Sequence, residues 1–153
     1  MTATAGRYVK AVLWDMDGTL MNSQPIWDES FRRRCQERGG TVTPEQVAGI
    51  AGASIARTRE IIAETGATES PEDPATAEVF ARIAADVGEA VRADPPILPG
   101  ARRITSMLSE IGLAQVIVTQ SPRPIVESVA HALGDVFVEL VTGDDGLPGK
   151  PTP

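Results

Sequence analysis

Val9-Lys10-Ala11-Val12-Leu13-Trp14-Asp15-Met16-Asp17-Gly18-Thr19-Leu20 is the stretch from which the fold of this chain can be read. An apolar run over residues 8–14 predicts a buried first strand. It gives way to two aspartates two residues apart and then to a Gly-Thr loop. Residues i and i+2 of a strand point the same way, so Asp15 and Asp17 converge at the strand's C-terminal end. Open α/β sheets bind their ligands at that end. Two neighbouring carboxylates repel each other and favour a cation between them, and a small oxygen-seeking ion such as Mg²⁺ suits the pair. A plain Asp-Gly turn is the competing reading. The strand that leads into the pair favours a site.

Working outward, the spacing predicts a helix over 24–38, with Ser23 as its cap and Gly39-Gly40 as its end. Thr43, Pro44 and Gln46 make a capping box that opens a second helix. Gly52 interrupts the helical pattern, and a third helix runs over 54–64. Val79, Ile83, Val87 and Val91 recur at helical spacing in a fourth, over 75–92. Asp94-Pro95-Pro96-Ile97-Leu98-Pro99-Gly100 is the strongest break. Beyond it the pattern alternates: helix 101–111, strand 114–119, helix 122–133, strand 136–142. Such alternation argues for parallel βαβ units.

The run Asp15-Met16-Asp17-Gly18-Thr19-Leu20 resembles the first motif of the haloacid dehalogenase superfamily, in its phosphatase and phosphoglucomutase-like branch. The resemblance starts at Tyr8 and reaches the last residue. It implies an α/β fold: a parallel Rossmann-like sheet with helices on both faces, formed by residues 1–20 and 95–153. A helical cap over 21–94 is inserted into it. It implies that Asp15 is the nucleophile that becomes an aspartyl-phosphate, and that Asp17 serves as acid and then base. Dehalogenases of the superfamily lack that second acid, so the chain resembles a phosphoryl-transfer enzyme.

Val116-Ile117-Val118-Thr119 resembles the second motif, whose hydroxyl binds a phosphoryl oxygen. The backbone N–H groups of Gln120 and Ser121 would assist at the entry to a helix. Gly149-Lys150-Pro151 resembles the third motif, with Lys150 offsetting negative charge. Gly18 and Thr19, and Gly52, Ser54 and Arg57 of the cap loop, are further candidates for substrate contact. Asp15 and Asp17 are the candidate Mg²⁺ ligands. The family's fourth motif, an acidic strand end that completes the metal site, is not reached before Pro153. Asp144 and Asp145 precede the lysine and are read as loop residues. The expectation is a C-terminally truncated core with three strands, in which the first strand lacks neighbours on one side.

Composition narrows the partners. The net charge of −7 argues against nucleic acid and anionic membrane surfaces. The Arg32-Arg33-Arg34 triplet reads as a solvated helix face. One cysteine, Cys35, excludes an intrachain disulfide and fits a cytoplasmic setting. One histidine, His131, argues against His-based catalytic sets and multi-ligand zinc sites. The expected function is Mg²⁺-dependent hydrolysis of a small phosphorylated metabolite. A sugar-phosphate mutase, a non-catalytic remnant and a regulatory phosphate- or Mg²⁺-binding module remain as alternatives.

Overall fold

The computed structural model describes residues 9–147. Its elements are β1 (Ala11–Trp14), α1 (Gln24–Glu37), α2 (Pro44–Gly49), α3 (Ile55–Glu64), α4 (Pro74–Ala93), α5 (Ala101–Glu110), β2 (Ala114–Val118), α6 (Arg123–Ala132) and β3 (Glu139–Val141). The order follows the sequence pattern element for element, and the α/β class is borne out. The sheet is parallel, in the order β1-β2-β3. Its register pairs Leu13 with Val116 and Val116 with Glu139.

Strand length is set by the partner and not by apolar content. Pairing begins at Ala11↔Ala114, immediately after the turn that closes α5, so Val9 and Lys10 stay outside β1. The expected third strand over 136–142 shortens to Glu139–Val141. Before it, the backbone holds β2 through Val138 N–H to Gln115 O, at 2.8 Å.

Trp14, Ile117 and Leu140 share one sheet face and meet Ile125, Val126 and Val129 of α6. On the same face, buried Gln115 donates to Thr105 O of α5 (2.8 Å) and accepts from Trp14 Nε1 (3.0 Å). Both crossovers advance the same way across the sheet, and right-handed crossovers then put their helices on one side. Among the described residues the expected two-sided helical cover is therefore met on one face. The other face carries Leu13, 69% exposed, on an edge strand.

The chain leaves the sheet at Leu20 to Asn22 and returns at Pro96 to Leu98. The two crossings are bonded to each other, Asn22 N to Pro96 O (2.8 Å) and Leu98 N to Leu20 O (2.9 Å). Between them α1–α4 enclose a second apolar cluster that includes Phe31, Cys35, Val47, Ile61, Ile62, Val79 and Ile83. The stripe on α4 serves both clusters. Val79 and Ile83 fill this one, whereas Val87 and Val91 join the cluster over the sheet.

The arginine triplet is more than a solvated face. Arg34 holds Asp86 of α4 through Nε (2.8 Å) and Nη2 (2.6 Å), and Arg33 adds a contact at 2.8 Å. Arg34, with help from buried Ser30 and from Arg33, keeps the Asp86 carboxyl well below the usual range. The capping box at α2 forms as read, with Thr43 Oγ1 accepting from Gln46 N (3.2 Å) and Gln46 Oε1 from Thr43 N (2.9 Å).

Candidate active site

At the end of β1 the backbone folds into a tight loop. Thr19, Leu20 and Met21 all direct N–H groups at Met16 O. Gly18 sits at φ +81°, a left-handed conformation that glycine adopts without penalty. The Met16 side chain is wholly buried, so the aspartates on either side of it turn the opposite way. Both line a single cavity of about 130 Å³. Thr119, Gln120 and Ser121, at the end of β2, complete its floor. Gln24 and Trp27 of α1, Ile50, Gly52 and Ala53 of the α2–α3 loop, Ile55 and Thr58 of α3, and Phe80 of α4 form its walls.

Asp17 accepts three side-chain hydrogen bonds. Its Oδ2 accepts from Ser121 Oγ (2.7 Å) and Thr119 Oγ1 (3.1 Å), and its Oδ1 from Ser23 Oγ. Ser23 does stand at the N-cap position of α1, but its hydroxyl caps nothing. It is fully buried and turned to Asp17 instead. Asp15 Oδ2 accepts from Thr19 Oγ1 at 3.1 Å.

Several expected contacts are arranged differently from the sequence reading. The Thr119 hydroxyl has one proton, and in this conformation it goes to Asp17. Ser121 N donates to Thr119 Oγ1 (3.1 Å) and so is not open to an anion here. The α6 N-terminus is served from within the chain, because Arg123 N donates to Asp144 Oδ2 at 2.7 Å. Asp145 holds the Arg123 guanidinium (2.6 Å) and Thr142 N (2.7 Å). Both acids thus brace the β3–α6 corner, in keeping with loop residues. Gly52 lines the cavity, whereas Ser54 and Arg57 do not. Ser54 caps α3 by accepting from Arg57 N (3.2 Å), and the Arg57 side chain is held by Glu60 (2.8 Å) and Glu64 (2.9 Å). Gly18 and Thr19 shape the loop and are not among the cavity-lining residues. Lys150 lies outside the described residues.

Asp15 and Asp17 offer only oxygen, which suits a hard ion that is held by one or two carboxylates and completed by phosphate and water. Among the described residues no third Asp, Glu, His or Cys joins them in a cluster. The set therefore fits Mg²⁺ with a phosphate ester better than a closed all-protein cage.

The family model for haloacid dehalogenase-like hydrolases matches residues 9–153. The chain belongs to this family. Hexitol phosphatase B of Escherichia coli strain K12 is 27% identical over 151 residues, covering 96% of this chain and 66% of that protein. A phosphoglycolate phosphatase of Rhodobacter capsulatus is 27% identical over 146 residues, covering 94% and 66%. The haloacid dehalogenase-like fold is seen again in a β-phosphoglucomutase from Clostridium difficile, with a TM-score of 0.78 at 15% identity over 95% of this chain and 67% of that one. The chain spans 66% of the length of these curated relatives. No helix of the described residues is long and apolar enough to cross a membrane.

Proposed function

We propose that the chain carries the site of an Mg²⁺-dependent phosphatase acting on a small phosphorylated metabolite in the cytoplasm, with residues 21–94 as its cap. The observation that supports this most is the convergence of Asp15, Asp17, Thr119 and Ser121 on one cavity beneath the α1–α4 layer. The two curated relatives described above are both named as phosphatases, which favours transfer to water over transfer to a second sugar hydroxyl.

In this reading an Asp15 oxygen attacks phosphorus and the bond from phosphorus to the ester oxygen breaks. Asp17 gives a proton to the departing alcohol. Water then attacks the aspartyl-phosphate, Asp17 takes the water's proton, and inorganic phosphate leaves. Thr19 steadies Asp15 for the attack. Ser23 and Ser121 hold Asp17 at the correct angle. Thr119 turns its hydroxyl from Asp17 to a phosphoryl oxygen when the ester arrives, which frees a lone pair of Asp17 for the proton. Gln120 and Ser121 shape the phosphoryl pocket, and Lys150 neutralises its charge. Mg²⁺, when held by Asp15 and Asp17, would offset the charge of the phosphoryl oxygens.

The test is phosphate release by the 153-residue chain from a set of small esters, with Mg²⁺ and with chelator, beside Asp15→Asn. Release that requires both Mg²⁺ and Asp15 is expected. Turnover that survives Asp15→Asn removes the assignment.

A further inference from the structure

Apart from Asp15 and Asp17, the cavity lining carries no charged side chain among the described residues. Trp27, Ile50, Ile55 and Phe80 supply apolar wall, and the polar side chains of the helical walls, Gln24 and Thr58, are neutral. Arg57, on the same helix as Ile55 and Thr58, is tied to Glu60 and Glu64 and lies outside the lining. The charged groups that do line the space, Asp15 and Asp17, are both anions. A second negative group on the ester would enter a chamber whose walls, among the described residues, offer it no counter-charge. Burying an unpaired charge in this way is strongly disfavoured. Hydroxyl groups face no such penalty: Thr58 Oγ1, which donates to Ser54 O (3.1 Å), and Gln24 Oε1, whose amide nitrogen donates to Asp28 (2.6 Å), can both accept hydrogen bonds from them.

From this juxtaposition of apolar wall, neutral amide and absent cation we infer that the site selects monophosphate esters of small uncharged alcohols and rejects esters whose other end carries a carboxylate or second phosphate. Ile55 is one of the apolar lining residues at which a cation would reverse that choice. It stands at the first turn of α3, with its Cδ1 about 3.3 Å from where a side chain at Gly143 would begin. The inference rests on the phosphatase reading for the location of the phosphoryl end.

The experiment titrates the whole chain with glycerol phosphate and, separately, with phosphoglycerate, which has the same carbon skeleton but a carboxylate tail. Tryptophan fluorescence and calorimetry report binding, and phosphate release is read in the same samples. Glycerol phosphate is expected to bind at least about tenfold tighter, the scale of one uncompensated charge. Ile55→Arg is expected to narrow or reverse that ratio. Equal affinity, preference for phosphoglycerate, or binding of neither ester by the unaltered chain overturns the inference. A neutral preference without Asp15-dependent release upholds selectivity and removes the phosphatase reading. Release that favours phosphoglycerate does the opposite.

Discussion

Gly143→Ala is expected to destabilise the chain, and Gly88→Ala, chemically the same change, to stabilise it. Gly143 is not in the left-handed region, so the argument there concerns space alone. A methyl group would stand 2.2 Å from Gln120 O, 2.9 Å from Gln120 C and 3.3 Å from Ile55 Cδ1. Backbone atoms cannot rotate aside as a side chain can, so the two loops must separate by roughly 1 Å, and overpacking of this kind costs about 1–3 kcal/mol. For a chain of this length each kcal/mol shifts Tm by about 2–4 °C, which gives a fall of roughly 4–8 °C for the middle of that range. At Gly88 the nearest atoms are Ile125 Cγ1 at 3.7 Å and Arg92 Nη2 at 3.9 Å, ordinary contacts. Alanine then recovers the helix penalty of glycine, about 0.5–1 kcal/mol, and Tm rises by roughly 1–4 °C. Circular dichroism melts and urea titrations of the three chains decide the matter. Shifts of the same sign, or a Gly143→Ala chain that melts with its parent, would show that the Gln120–Gly143 approach is not as close as described.

Ser23→Ala removes a buried hydroxyl bonded to Asp17. It is expected to cost about 1 kcal/mol of stability and to lower kcat more than it raises KM, whereas Ser23→Thr should retain more of the rate. Asp86 has a folded-state pKa below its unfolded value, so its contribution is complete above the unfolded pKa of about 3.9 and is lost as pH falls through the lower folded value. Asp86→Asn should therefore weaken the chain at pH 7, with the gap to the parent closing in urea titrations carried below pH 4. Thr43→Ala should lose the bond from Gln46 N to the Thr43 hydroxyl and about 1 kcal/mol, while Thr43→Ser should lose little. Amide exchange at Gln46 would report the change locally.

Much of this architecture was legible because its signals are local. Thr43-Pro44-Glu45-Gln46 announces a helix start through contacts within four residues, and the α4 stripe is visible in its spacing. The Asp15–Asp17 convergence needs only the twofold period of a strand. What escaped was set by how elements pack together and not by the spacing within any one of them. Ser23 satisfies every local rule for a cap, yet its partner Asp17 lies across the crossing between sheet and helices, and that bond displaces the capping role. Trp27 and Phe80 belong to helices whose apolar faces read as core, and only the packing of α1 against α4 puts both at a cavity. The Arg57 engagement, by contrast, was readable, since Glu60 and Glu64 follow it at i+3 and i+7 on one helical face. The shortening of β3 was not, because it depends on where β2 begins to pair.

Helix α4 has a mechanical consequence. Its 20 residues make a rod about 30 Å long, with one half set in the helical cluster and the other against α6. Neither half can melt without withdrawing side chains from the other's cluster, so heat should break both in one transition, not two. The rod also limits how the cavity opens. The α1–α3 side can swing only as far as α4 bends or slides along α6, where Gly88 gives Ile125 its seat. Under the proposed function, ligand exchange is expected to depend on an interface well away from the aspartates, and a substitution on α6 to alter turnover without touching substrate.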